Sequence, residues 1–147
     1  MEQGLIDPEE SVSERSLRSA SLVHTALHRK VEGRNGAAPN AAELSVIDEA
    51  ARDAGLELRF DPEGPPRIEP TAPGVAAALG RILAAAFLAE LDGTWERLKQ
   101  CSDDTCTSVF YDRSKNHSGK WCSMRSCGNR NKVRAWRERQ HAGATPA

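Results

Sequence analysis

The pattern of apolar and polar positions predicts two helices in the first third of the chain. Apolar residues recur at helical spacing over residues 9–31, and Gly33 suits the end of that helix. Asn40 followed by Glu43 predicts the start of a second helix, because each side chain can bond the other residue's backbone N–H. Apolar residues then recur at the same spacing until Gly55, so two amphipathic helices are expected here.

The next segment changes from helical to alternating periodicity and back. Residues 56–60 alternate apolar with polar side chains, as a half-buried strand does, and residues 67–69 are expected to pair back across a turn. Thr71 suits the cap of a third helix over residues 73–92, whose wide apolar surface predicts the core of this region. Its apolar run contains Arg81 and is short for a bilayer, so no membrane association is expected.

Charge divides the chain into two parts. Residues 1–94 hold nine basic and 16 acidic side chains, a net charge of -7, whereas residues 95–147 hold 11 and five, a net charge of +6. The N-terminus shows no secretory signal, so a cytoplasmic protein with reduced thiols is expected. The predicted domains are residues 1–93 and 95–141, followed by a flexible tail over residues 142–147.

Four cysteines carry the clearest candidate chemistry. Cys101, Cys106, Cys122 and Cys127 form two close pairs separated by 15 residues, an arrangement typical of structural zinc sites. Four thiolates fill the tetrahedral coordination of Zn²⁺ and leave no open position for catalysis. The alternatives are two disulfides, which a reducing compartment disfavours, an iron–sulfur cluster, or four unrelated buried thiols. His117 is a candidate replacement ligand, but four cysteines already suffice.

The segment around the cysteines is too short and too polar to fold on an apolar core alone. Zinc supplies about 10–16 kcal/mol in small finger peptides, so a bound metal is expected to hold this segment together. Residues 108–112 are strand-like and residues 112–119 form a polar turn, which predicts a hairpin crossing from one cysteine pair to the other. The expected class is α+β: an α-rich N-terminal region with a small β-hairpin, then a zinc-stapled β-hairpin plus helix.

A basic helix is predicted after the last cysteine. Asn129 suits its N-cap, while Val133 and Trp136 share a face that is expected to pack on the zinc hairpin. Cations line another face, and such a stripe beside a rigid module suits nucleic-acid phosphates. The alternative is a solvated basic face that binds nothing. The side chains predicted to contact DNA are Arg130, Lys132, Arg134 and Arg137.

These motifs resemble those of the CGNR zinc-finger family of bacterial proteins. The motif that names the family stands here as Cys127-Gly128-Asn129-Arg130, and residues 97–99, 109–114 and 121–124 are similar as well. The resemblance implies zinc bound by the four cysteines and a DNA-binding module. Gly128 and Asn129 are assigned structural roles within it.

Members of this family often carry an upstream region called ABATE, described as part of stress-induced transcription regulators. Residues 5–92 resemble its later portion, so a shortened ABATE-like region is expected over residues 1–93, and a bacterial transcription regulator over the whole chain. The rival function is a protein-interaction module in which zinc shapes a surface that binds an acidic partner. An enzyme is not expected, because an all-thiolate site has no acid–base pair beside it. Homo-oligomerisation stays open.

Overall fold

The computed structural model describes residues 12–33 and 38–142. The chain divides into two compact units, Met1–Trp95 and Glu96–Ala147. Both units combine helices with a small antiparallel hairpin, which confirms the α+β class. The start of the predicted first helix before residue 12, and residues 143–147 of the expected tail, lie outside the described residues.

Five elements form the first unit and four the second. The first contains α1 (Glu14–Glu32), α2 (Ala41–Asp53), β1 (Leu56–Arg59), β2 (Arg67–Pro70) and α3 (Gly74–Leu91). The second contains β3 (Leu98–Gln100), β4 (Val109–Tyr111), a π-helical turn (Met124–Gly128) and α4 (Asn129–Ala142). A short 3₁₀ turn, Thr94–Arg97, precedes β3.

Local sequence signals define the ends of the first two helices. The hydroxyl of Ser13 accepts the Ser16 N–H at the start of α1. At the start of α2 the predicted capping pair is confirmed: the Asn40 side chain accepts the Glu43 N–H at 3.0 Å, and Glu43 accepts the Asn40 N–H at 2.9 Å. Gly55, directly before β1, has φ +58°, a conformation that glycine adopts without a steric penalty.

The core of the first unit lies where α1, α2 and α3 meet. Val23, Ala50, Leu79 and Leu83 form its buried cluster, so the predicted core role of the third helix is confirmed. Trp95 is also buried, at 8% exposure, and the Lys30 ammonium lies 5.8 Å from the centre of its ring. This unit is therefore organised by ordinary apolar burial, with one cation–π contact at its edge.

Two expectations for the first hairpin and third helix are wrong. Leu58 and Phe60 are exposed, because β1 leaves the core after Leu56, which packs against the buried cluster. Thr71 does not cap α3; its hydroxyl donates to the Gly55 carbonyl at 3.0 Å and so ties β2 to the end of α2.

Part of the apolar surface of α3 is exposed to solvent. The helix has 18 residues and a mean hydropathy of 1.7, and about a third of it (33%) is buried. Among the described residues it alone is long and apolar enough to cross a membrane by length and composition, a test that core helices also pass. Phe87 and Leu91, which belong to the wide apolar surface predicted for this helix, are exposed.

Candidate metal centre and basic helix

The first cysteine pair lies in the loop of the second hairpin. β3 and β4 pair antiparallel, with Gln100 opposite Val109, and the Cys101 N–H extends the ladder by donating to the Ser108 carbonyl at 2.9 Å. The loop that closes this hairpin contains Cys106. The predicted hairpin from one cysteine pair to the other is therefore wrong, because β4 pairs with the strand before the first cysteine instead.

Backbone bonds bring the second cysteine pair to the first. The Ser102 N–H donates to the Lys120 carbonyl at 2.8 Å, and the Cys122 N–H points at the sulfur of Cys101 at 3.5 Å. Cys127 lies on the π-helical turn, a rare element that often occurs at functional sites. Since this turn runs directly into α4, the last cysteine anchors the base of the basic helix.

The four sulfurs have the spacing that a tetrahedral metal requires. The sulfurs of Cys101, Cys106, Cys122 and Cys127 all lie within 4.8 Å of one another. The Cys106–Cys122 and Cys122–Cys127 distances are 3.8 and 3.7 Å. Zn–S bonds of about 2.3 Å in a tetrahedron place sulfurs about 3.8 Å apart, whereas a disulfide requires about 2.05 Å. The cysteines thus form a site for one zinc ion, and His117 lies outside this cluster of described residues.

The protein environment affects the thiols unequally. Hydrogen bonds from the side chain and backbone of Ser108 lower the pKa of Cys106 to about 6. Burial raises the pKa of Cys127 to about 12. Cys106 is therefore prepared for metal binding as a thiolate, whereas Cys127 must release its proton to solvent when the ion binds.

A buried carboxylate, Asp103, joins the first cysteine loop to α4. Its side chain is 1% exposed, and one of its oxygens accepts the N–H and O–H of Thr105 at 3.0 and 2.7 Å. The other oxygen accepts the side-chain amide of Asn131 on α4 at 2.9 Å. The Thr105 hydrogen bonds hold the pKa of Asp103 below its usual range, so the carboxylate is ionised at neutral pH and the bond from Asn131 is charge-assisted.

A second buried carboxylate, Asp112, organises the long loop after β4. Its oxygens accept the Lys99 ammonium at 2.7 Å and the N–H groups of Ser114 and Gly119 at 2.9 Å each. The bond from Lys99 contributes most to holding its pKa well below the usual range. A Cβ added at Gly119 would lie 2.6 Å from an Asp112 oxygen, so this close approach requires glycine.

Neither Asp103 nor Asp112 was predicted as a site residue from the sequence. A signal does exist, because each precedes a hydroxyl residue by two positions: Asp103-x-Thr105 and Asp112-x-Ser114. Aspartate in this spacing often accepts the backbone N–H two residues on. The spacing predicts a local turn but gives no indication that the carboxylate is buried.

Asn129, which was predicted to cap α4, has a different structural role. Asn129 has helical dihedral angles (φ -66°, ψ -41°), and its side chain donates to the Arg125 carbonyl at 3.3 Å. It does not cap the helix, because the π-helical turn already continues into α4. Gly128 is buried, and a Cβ added there would lie 2.8 Å from the sulfur of Met124 and 3.3 Å from the Trp121 ring.

The four α4 side chains predicted to contact DNA fall into two groups. Arg130 bonds the hydroxyl of Thr105 and lies 3.7 Å from Asp103, and Arg134 pairs with Asp104 at 3.1 Å. Lys132 and Arg137 have no carboxylate partner within the described part of the chain. All four side chains are exposed or half-exposed.

Val133 and Trp136 do not pack on the zinc hairpin, contrary to expectation. They are 47% and 56% exposed, respectively. Asn131, which bonds Asp103, lies on the side of α4 that meets the metal module. The two predicted packing residues therefore lie on the solvent side.

The comparison with known families agrees with this geometry. Residues 97–140 match the family model described as CGNR zinc finger. No curated protein shows significant similarity to the chain. The family match includes all four cysteines and nearly all of α4, and confirms the predicted resemblance for this segment.

Proposed function

We propose that this protein is a bacterial transcription regulator whose zinc module presents α4 to DNA. The observation that carries the proposal is the charge of this helix: Asn129–Ala142 holds five Lys or Arg side chains and one carboxylate. DNA phosphates attract such a surface independently of base sequence. On this proposal the protein binds rather than catalyses, acts in the cytoplasm, and carries an ABATE-like first unit.

The attachment of α4 to the metal centre supports this role. Cys127 at its base is a zinc ligand, and Asn131 one turn later donates both to Asp103 and to the Cys127 carbonyl, at 2.9 Å each. A helix held at these points presents its cations in fixed positions. Less conformational entropy is then lost on binding than with a free basic tail.

The side chains proposed to bind phosphates differ in how they are held before binding. Arg130 and Arg134 are oriented by the first cysteine loop, through Asp103 and Asp104. Lys132 and Arg137 extend from the helix without a carboxylate partner in the described residues, so they can reach phosphates without breaking an ion pair. All four positions contribute to affinity, and the second pair does so at the lower cost.

A triple variant tests the proposal. Changing Arg130, Arg134 and Arg137 to Gln removes three charges from α4, substitutes no zinc ligand and retains good helix propensity. Affinity for duplex DNA should fall at every base sequence tested. The slope of log affinity against log salt should flatten by about 0.9 for each phosphate that is no longer neutralised, because fewer counterions are released.

The matched control changes the same charge on the first unit. Arg15, Arg18 and Arg52 are exposed there, and their replacement by Gln should leave both DNA affinity and salt slope nearly unchanged. An α4 variant that keeps its zinc and its full DNA affinity contradicts the proposal. Wild-type protein without DNA affinity even at low salt would favour the rival function, a zinc-stabilised module that binds an acidic protein.

A further inference from the structure

The solvent side of α4 carries an apolar ridge formed by Val133 and Trp136. The two residues are three positions apart, so their side chains are neighbours on the helix surface. Both are about half exposed, at 47% and 56%. The attachment of α4 to the metal module runs through Asn131 and Cys127 rather than through this ridge. Two exposed apolar side chains that lie together on an otherwise polar helix form a surface available to a binding partner.

Cations flank this ridge on both sides. At about 100° per residue, Arg130, Arg134 and Arg137 form a row along one flank of the ridge. Lys132 and Arg139, seven positions apart, form a row along the other flank. The exposed surface of α4 thus has the apolar ridge at its centre, with the polar Asn129 and Gln140 before and after it, and positive charge on both flanks.

This arrangement matches the major groove of duplex DNA. The groove is about 12 Å wide and admits one helix of about 10–12 Å diameter, with a phosphate backbone on each side. In this orientation each row of cations lies against one phosphate backbone, and the apolar ridge faces the base edges. The apolar group that bases present there is the C5 methyl of thymine. An acidic protein surface would not require cations on opposite flanks of one helix.

We infer that Val133 and Trp136 form the base-contacting edge of this module and favour thymine through its methyl group. The inference rests on the proposed DNA-binding function and adds to it the residues that read sequence. Arg130, Arg134 and Arg137 would then bind the backbone of one strand, and Lys132 and Arg139 that of the other. Bonds to phosphates position the helix, whereas the apolar ridge discriminates between bases.

The test compares thymine with uracil, which differ only in the methyl group. The probe is the tightest-binding duplex recovered from a random library, prepared with thymine and again with deoxyuridine in its place. Zinc-loaded full-length protein should bind the uracil form about fourfold more weakly for each thymine methyl group that is buried against the apolar ridge. The double variant Val133→Ala, Trp136→Ala should bind both forms with equal affinity while keeping its zinc and helix content.

Tyr111→Ala supplies the matched control. Tyr111 is an aromatic residue of the same unit, 45% exposed, but it lies on β4 rather than α4. This variant should keep the wild-type preference for thymine. Val133→Ala alone should reduce the preference, and it provides the same comparison with a smaller change to the helix.

Several results would overturn the inference without touching DNA binding itself. These are equal wild-type affinity for the two duplexes, a double variant that keeps the thymine preference, and loss of zinc by both the double variant and Val133→Ala. Tighter binding of single strands that depends on Trp136 would overturn it too, since that result indicates stacking on unpaired bases. Absence of any DNA affinity at low salt would instead remove the proposed function on which the inference rests.

Discussion

The two units of this protein bury opposite kinds of side chain. In the first, the buried cluster is aliphatic: Val23, Ala50, Leu79 and Leu83. In the second, the buried side chains within residues 96–141 are thiols and carboxylates: Cys101, Asp103, Asp112 and Cys127. A segment this short cannot enclose enough apolar surface to fold on burial alone. One chain thus uses two sources of stability. The first unit relies on apolar burial, and the second relies on a metal and on hydrogen bonds to buried carboxylates.

The same division appears at the surface. The acidic charge lies in the first unit and the basic charge in the second, so the unit that depends least on apolar burial also carries the cations. Zinc binding contributes enough free energy of folding to offset the repulsion among nearby arginines. A small apolar core alone would not offset it. A binding surface and its scaffold can thus be encoded in one short segment.

Removal of zinc should have the largest effect, and it should affect only the second unit. Structural zinc contributes about 10–16 kcal/mol in small fingers, so a chelator should unfold the second unit and leave the first folded. Far-UV circular dichroism should lose the signal of α4 and keep that of α1, α2 and α3. Metal analysis of the untreated protein should find one zinc per chain.

Two outcomes would contradict this expectation. Loss of all helical signal on chelation would show that the two units unfold as one, and iron in place of zinc would change the identity of the site. Magnesium serves as the control ion: it prefers oxygen ligands, so adding it back should not restore the α4 signal, whereas zinc should.

Two tryptophan variants compare the units directly. Trp95→Ala removes a side chain that is 8% exposed and should destabilise the first unit by about 3–5 kcal/mol. Trp136→Ala removes one that is 56% exposed and should change stability by less than about 1 kcal/mol. Thermal or urea unfolding monitored by circular dichroism measures both. The small effect at Trp136 follows from its exposure, although the sequence predicted that it packs on the zinc hairpin. Equal losses would contradict the burial described for the two side chains.

Acidification should protonate the zinc-binding thiols, which lie in the second unit alone. The pKa of Cys106 is about 6 in the folded protein, below the ordinary thiol value of about 8.5. The Cys106 thiolate therefore stabilises the folded state fully above about pH 8.5, and this stabilisation is lost as pH falls through about 6. Protons compete with zinc for all four thiolates, so zinc should leave on acidification. Ser108→Ala removes a hydroxyl donor to Cys106 and should move zinc release to higher pH by up to about one unit.

A zinc-sensitive dye can follow this release between about pH 8 and about pH 4, a range that spans the pKa of Cys106. Ser102→Ala, which changes an exposed serine next to Cys101, is the control and should keep the wild-type midpoint. If Ser108→Ala releases zinc at the wild-type pH, the hydroxyl does not stabilise the Cys106 thiolate. Helix signal from the first unit should persist throughout zinc release.

Short-range chemistry in the sequence predicted several features correctly. The Asn40 and Glu43 capping pair was predictable because both partners lie within one helical turn. The metal site was predictable because four cysteines in two pairs match the ligand set of one tetrahedral ion. The partner of β4 was not, because β3 has three residues and strand pairing depends on which loops can close.

Helical period alone places Val133 and Trp136 on one face of α4 with cations on both sides, and ligand chemistry alone makes four thiols available to one ion. The exposure of that face and the burial of Asp103 and Asp112 could not be read from the residues in the same way. Burial depends on which elements pack together, and here the bond from Asn131 to Asp103 turns the opposite side of α4 toward the metal.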